Sequence, residues 1–471
     1  MSEIAFLSAT ELLGLYRSRK LSPVEATEAA LSQIERHDPR VNAYRLVDAE
    51  GALSRARESE GRYLEGQPMG RLDGVPTSVK DLLLTRGWPT LRGSRAVDPD
   101  QEWGDDAPAV TRLRENGAVL LGKTTTPEYG WKGVTDSPLT GFTGNPWAPG
   151  YTAGGSSGGA AAAVALGMGQ LAVGTDGGGS VRIPASFCGI VALKPTYGRI
   201  PLWPASPFGT LSHAGPMTRT VADAALMLDV LAGPEVRDWT ALPPADTDYQ
   251  EAMEGGVEGL RVAFSPDLGY VDLDPEVREA VGAAARAFQE MGAEVEKTDP
   301  GFEDPIEYFD THWYAGAANA LRDYDEKARE QMDPGLIEIV GEGAGYSVMR
   351  YLQAVSRRSE LGIRMGRFHA DYDLLLTPTM PIPAFEGDGE VPEGWSHRRW
   401  TSWTPFTYPF NLTQQPAASV PCGFTRSGLP IGLQVVGARF EDALVLRAAH
   451  AYQTARPLTD RRPPGAEDDA T

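Results

Sequence analysis

Between Gly154 and Ser180 the chain reads GGSSGGAAAAVALGMGQLAVGTDGGGS, two glycine-rich stretches that each carry serine. One helix-like and one strand-like run of similar length join them, so the chain can return and set Ser156 beside Ser180. Gly177, Gly178 and Gly179 let the backbone approach a ligand closely and can point successive N–H groups into one space, the requirement of an oxyanion hole. Ser180 follows directly as a candidate nucleophile; the plainer alternative is a structural glycine turn. A serine nucleophile needs a base. The histidines (His37, His213, His312, His369, His397, His450) stand alone in charged or helical surroundings, so lysine is the next candidate, provided burial lowers its pKa. Lys80 lies in GVPTSVKDLLL, where Val79 and Leu82–Leu84 suggest a buried setting. Strand neighbours face opposite sides, so Asp81 need not pair with Lys80. An ordinary lysine at a strand end is the plainer reading.

Three other motif matches carry less. Gly117–Thr124 satisfies GxxxxGK[ST] letter for letter, but its AVLL spacer wants to be a buried strand and Pro127 opposes the helix that must follow a phosphate loop. Gly167-Met-Gly169 resembles a degenerate dinucleotide fingerprint in the reverse order, leaving a helix and entering a strand. Gly154-Gly-Ser156-Ser-Gly158 matches the GxSxG elbow, yet the turn-rich NPWAPGYTA precedes it and no late histidine except His450 suits it.

The elements that must position these residues belong to an α/β chain. Capping boxes at Ser8–Glu11 and Ser22–Glu25 open two helices, the second reaching about His37, and residues 41–65 read as a further charged helix. From Leu72 short apolar runs alternate with helices, which predicts a largely parallel, helix-covered sheet. The irregular stretch 240–400 interrupts this texture, but DYDLLLTP, PAASVP and IGLQVVG resume it. One domain over 1–460 is therefore expected: helical segment 1–65, core 70–235, elaboration 240–400, closing strands and helix 405–455. A disordered tail is expected from 461 to 471. With 64 acidic against 43 basic residues, the net charge of -21 repels phosphate backbones and anionic lipid. Two cysteines are too few for a disulfide framework or a cysteine metal site. No apolar run spans a membrane and no signal-peptide pattern opens the chain, so a cytoplasmic protein is expected.

The blocks GVPTSVKD, GKTTTPEYG, TGNPW, AGGSSGGAAAAVA, GTDGGGSVRIPASFCGIVALKPTYGRI, GPMTRTVADAALMLDVLAG and PFNLTQQPAASVPCGF together resemble the amidase signature family along most of the chain. The resemblance implies a single α/β/α domain on a large twisted mixed sheet, and amide hydrolysis without metal or cofactor. It implies Lys80 as base, Ser156 as a bridging serine in a cis peptide and Ser180 as the acylated nucleophile. The amides of Gly177, Gly178, Gly179 and Ser180 match the oxyanion hole, with Ser157, Asp176 and Arg182 in support. Two positions depart from the pattern: Ala153 stands where proline is usual, and Gly177 where a larger residue is common. Trp131, beside Gly130, falls at a position that lines the acyl pocket in relatives. The aromatic segment GWSHRRWTSWTPF, with Trp395, Trp400 and Trp403, is either pocket wall or core. As a wall it implies a bulky apolar small-molecule amide, ester or carbamate. The family also includes the glutaminase subunit of tRNA-dependent amidotransferases, the rival reading; PLWPASPFGTLSHAG diverges from what that branch would show. Besides substrate, a second copy of the chain is the one partner this reading allows.

Overall fold

The structure, a computed structural model, describes residues 2–466. Its strands are β1 (Tyr44–Val47), β2 (Pro76–Lys80), β3 (Val119–Thr124), β4 (Asp136–Ser137), β5 (Gly141–Phe142), β6 (Leu171–Asp176), β7 (Val191–Lys194), β8 (His213–Thr218), β9 (Arg261–Phe264), β10 (Glu294–Lys297), β11 (Leu374–Pro378), β12 (Ala417–Phe424) and β13 (Pro430–Gly437). β4 and β5 form a small hairpin; the rest make one 11-stranded sheet in the order β1-β3-β2-β6-β8-β7-β12-β13-β11-β9-β10.

Side-chain alternation sorts the core into two layers. Leu171, Val173, Val191, Leu193, Leu374 and Leu376 share one apolar cluster with the helices Val221–Leu231, Pro275–Glu290 and Asp442–Ala455. Ala172 and Ala192, between them in sequence, pack instead with the helices Gly158–Ala165 and Arg182–Cys188, and Leu375 with the aromatic residues of 302–410. The sheet is thus covered on both faces, and each fully buried leucine or valine contributes about 1.5–3 kcal/mol. Among the described residues no helix is long and apolar enough to cross a membrane.

Three sequence expectations are corrected. Parallel pairing is confined to β3–β2–β6 and β11–β9–β10; everything between, and the β1 edge, is antiparallel, so the sheet is mixed rather than largely parallel. Residues 41–65 are not one helix. Asn42, in the left-handed conformation at φ 54, ends the helix Pro23–Val41, which runs past His37. β1 then pairs with β3 before Asp48 caps the helix Ala49–Glu65 through the Gly51 amide. The tail expected to be disordered from 461 is packed as far as it is described: Ala466 is buried with Ile34 and Val41, and Arg461 and Arg462 lie over Phe424 and Phe6. Residues 467–471 of that tail lie outside the described residues.

The capping boxes at Ser8 and Ser22 form as expected. The GxxxxGK[ST] match is the buried β3, and Lys123 is consumed inside it. Its Nζ donates to Leu83 O at 2.6 Å and Thr90 Oγ1 at 2.8 Å, and lies 3.5 Å from Asp81.

Candidate active site

Val79 faces the core cluster on one side of the sheet, so its strand neighbour Lys80 points to the other, toward the helix Gly158–Ala165. Lys80 is fully buried there, at the end of β2. Its Nζ donates to Ser156 Oγ at 2.7 Å, Ser157 Oγ at 2.8 Å and Thr175 Oγ1 at 3.0 Å. Asp81 turns the opposite way, to Arg45 at 3.0 Å and to Lys123. Burial pushes the Lys80 ammonium well below the ordinary lysine pKa, and Asp176 acts in the other direction.

The helix Gly158–Ala165 and β6 do return the chain. The Ser157 amide donates to the Ser180 carbonyl at 3.1 Å, joining the two glycine-rich stretches, and the Gly155–Ser156 peptide bond is cis. Gly130 closes the site from a third side. A Cβ built there would meet Leu82 Cδ1 at 2.8 Å and Ser156 Oγ at 3.2 Å.

Asp176, at the end of β6, organises the loop that follows. Its carboxylate accepts from the Gly179 amide at 2.8 Å, the Val181 amide at 3.2 Å, Arg182 Nε at 3.0 Å and Asn411 Nδ2 at 2.8 Å. Burial by itself would raise its pKa, but the Arg182 charge and hydrogen bonds, with Lys194 and Asn411, hold it well below the carboxylate range. Arg182, also fully buried, donates onward to Thr407 O, Gln434 Oε1 and Asn411 Oδ1. One expectation is corrected here. The Gly179 N–H, expected to face a ligand, is spent on the Asp176 carboxylate.

Aromatic rings explain why this loop is glycine. A Cβ on Gly177 would stand 2.7 Å from Trp313 Cζ3, and one on Gly178 would stand 2.7 Å from Phe309 Cζ and 2.8 Å from Trp400 Cη2. The room that a larger residue at 177 would take is filled by Trp313. Gly178→Ala is therefore expected to destabilise the protein by about 1–3 kcal/mol through overpacking. It should also cut kcat by about a hundredfold, because a 1 Å displacement of a positioned group has that effect. Denaturant midpoints beside steady-state kinetics check this, and unchanged kcat would show that the loop does not position the reaction.

The tryptophans divide. Trp400 meets Phe309 and Trp313 edge-on and lies against Gly178, whereas Trp403 stacks on Phe187 at 6.0 Å and packs edge-on to Phe385 in the core. Trp131 is buried, and its carbonyl accepts from Trp313 Nε1 at 2.9 Å. The residues of this site that went unread in the sequence include Thr175, Phe309, Trp313, Thr407, Asn411 and Gln434. Asn411 lies in PFNLTQQ and Thr175 directly precedes Asp176, so proximity to the matched blocks was the available signal. The broad cleft of about 1620 Å³ bounded by Phe302, Asp310, Tyr314, Arg350 and Arg399 contains none of Lys80, Ser156 and Ser180. Among the described residues no three His, Cys, Asp or Glu side chains converge as a metal site.

A buried amine held below its ordinary pKa and bonded to serine hydroxyls, beside a glycine loop that carries a further serine, is equipped for acyl transfer. On this mixed sheet it marks an amide-hydrolysing enzyme, and the chain belongs to the Amidase (amidase signature) family, whose profile matches residues 25–446. It is 42% identical over 97% of its length, and 97% of the relative's, to an acylamidase of Rhodococcus erythropolis. It is 37% identical to a glutamyl-tRNA(Gln) amidotransferase subunit of Myxococcus xanthus, over 98% of this chain and 100% of that one. The solved structure of a bacterial aryl acylamidase of the amidase signature family superposes with a TM-score of 0.89 at 33% identity, covering 96% of each chain.

Proposed function

We propose that this chain is a stand-alone amidase that hydrolyses apolar or aryl carboxamides through an acyl-enzyme on Ser180. The observation that carries the reading is the buried Lys80 Nζ at 2.7 Å from Ser156 Oγ. Neutral Lys80 takes the Ser156 proton as Ser156 takes that of Ser180, and Ser180 Oγ bonds to the substrate carbonyl carbon. The carbonyl oxygen gathers negative charge against the amides of Gly177, Gly178 and Ser180, while Gly179, held by Asp176, fixes the loop. The C–N bond breaks as the nitrogen receives the proton back through Ser156, and the amine departs. Water then attacks the ester, giving its proton to the same relay, and the acid leaves with Ser180 restored. Esters and carbamates need the same steps.

The aromatic layer of Phe309, Trp313 and Trp400 around the loop, with Trp131 behind it, supports an apolar substrate. Aryl or long-chain amides are expected to exceed acetamide in kcat/KM by more than about tenfold, since each added buried methylene is worth roughly 10-fold or more. The experiment is an assay of the purified chain alone, without ATP or tRNA, on a simple anilide. Mass spectrometry after a sulfonyl fluoride then locates the adduct. Turnover with the adduct on Ser180 is the expected result; an adduct on Ser156 restores the GxSxG reading. The similarity to the amidotransferase favours the second reading, a glutaminase-type subunit, and a preference for glutamine or asparagine over anilides would select it.

A further inference from the structure

The helix Val348–Asp371 is a long ridge on the surface. Of its 24 residues only Ala354, Leu361 and Met365 are buried. Arg358 pins it down, with Nε donating to Leu412 O at 2.7 Å and Nη1 to Thr210 Oγ1 at 2.7 Å. Six of the twelve large apolar side chains exposed among the described residues stand on this one helix: Val348, Met349, Tyr351, Leu352, Val355 and Ile363. Val348, Leu352, Val355, Ser359, Gly362 and Gly366 recur at alternating steps of four and three, the seam of a coiled coil. That face carries no charge, in a chain with 23% charged residues. The charges of the helix sit elsewhere: Arg350, Arg357 and Arg364 recur every seventh residue about half a turn away, and line the 1620 Å³ cleft. Glycine weakens a helix interior, yet a Cβ on Gly362 or Gly366 would meet nothing within 4 Å. Nothing in the chain itself requires glycine there.

We propose that this face is a self-association surface, on which the helix packs antiparallel against that of a second copy, across a two-fold axis between Val355 and Ser359. The seam is self-complementary in that arrangement. Val348 stands against Gly366 of the second copy, Leu352 against Gly362 and Val355 against Ser359, and the two-fold repeats each pair, so every large side chain meets a small one. A parallel pair would set large on large at one end and leave a void at the other. Two other occupants suit the face less well. An acidic partner would seek the arginines, which line the cleft instead. A helix lying on lipid needs its basic residues beside the apolar face, and the net charge of -21 repels anionic lipid. The seam and the 670 Å³ groove along it, lined by Thr210, Gln414 and Arg439, offer the roughly 20 residues that one side of a stable interface needs. Fixed by Arg358, the helix loses little freedom on docking.

Sedimentation velocity of the full chain over a concentration series is expected to show a dimer. It should tighten as salt rises, because salt screens the repulsion between two copies at -21 each. Leu352→Glu should raise the dissociation constant at least about hundredfold, since the dimer carries the change twice. Gly362→Leu fills open space on the monomer, so the thermal midpoint should hold or rise while the dimer weakens at least about tenfold. Because the two positions face each other, Leu352→Gly combined with Gly362→Leu should recover the dimer that either change alone weakens. Arg364→Gln, on the cleft side, should leave the dissociation constant within about threefold. A monomer at every concentration, a dimer indifferent to Leu352→Glu and Gly362→Leu, or a double variant weaker than both single ones overturns the inference. So does a monomeric wild type that cosediments with phosphatidylglycerol vesicles and loses them in Leu352→Glu, which would assign the face to a membrane surface.

Discussion

Ser180→Ala is expected to lower kcat by about 10⁴–10⁶-fold, the range found when a nucleophile is lost from a serine hydrolase, and to leave the fold intact. What Ser180 contributes to the architecture is its backbone: the carbonyl that accepts from Ser157, and the turn into the helix Arg182–Cys188. Alanine keeps both, so the thermal midpoint should move by no more than about 4 °C, the shift of a change near 1 kcal/mol in a protein this size or larger. Circular dichroism and melting, read beside kcat on one anilide, decide the matter. Residual turnover above about one hundredth of wild type would falsify Ser180 as nucleophile, because water held by the loop cannot match an attached hydroxyl.

The second large effect belongs to Lys80. At its ordinary value near 10.4 a lysine is almost wholly charged at pH 7 and cannot accept a proton. Burial lowers that value here, so kcat/KM should rise with pH through one ionisation below that of free lysine. Lys80→Met keeps the length, removes the amine, and should flatten the rise and reduce kcat by about 10³-fold or more. Lys80→Arg should not restore activity, since guanidinium holds its proton throughout this range. Stability carries the same signature with a definite sign. Between the lowered folded pKa and the unfolded value near 10.4, the unfolded chain binds more protons than the folded one, so wild-type stability climbs with pH across that interval. Burial lowers Lys123 and Lys194 as well and gives a climb of the same sign, so denaturant midpoints of Lys80→Met should climb less steeply than those of the wild type. If the variant keeps both the wild-type rate profile and the wild-type slope, Lys80 is not the base; His450 is no substitute, because its helix Asp442–Ala455 covers the opposite face of the sheet, with Val79.

Much of this site was legible because it is local in sequence. Asp176, the glycines, Ser180 and Arg182 fall within seven consecutive residues, and Ser156 is reached by one helix and one strand. Lys80 could be located by its apolar neighbours, and its divorce from Asp81 by strand alternation. The partners that hold the loop were not legible. Phe309, Trp313, Thr407 and Asn411 approach it from more than 120 positions away, and nothing in their local spacing distinguishes a ring that seals a loop from one that fills a core. Trp400 and Trp403 illustrate this: three residues apart, one lies on Gly178 and the other on Phe187. β8 was missed because HAGPMT carries Gly215 and Pro216, which read as a turn. Strand direction escaped for a different reason, since the period of two that reveals a strand is the same whichever way its neighbours run.

Chemistry and fit enter this enzyme from different lengths of chain, and the contact between them limits how it can be retargeted. On the proposed mechanism the reacting groups lie between Lys80 and Arg182, whereas Phe309, Trp313 and Trp400 arrive from a later stretch and stand where a methyl on Gly177 or Gly178 would go. Exchange of residues 302–403 with a relative's segment thus transplants a ruler as well as a pocket. A graft whose rings stand slightly closer shifts the loop, and one whose rings stand farther off leaves it slack. Recombination libraries cut at those borders should give many folded and inactive proteins.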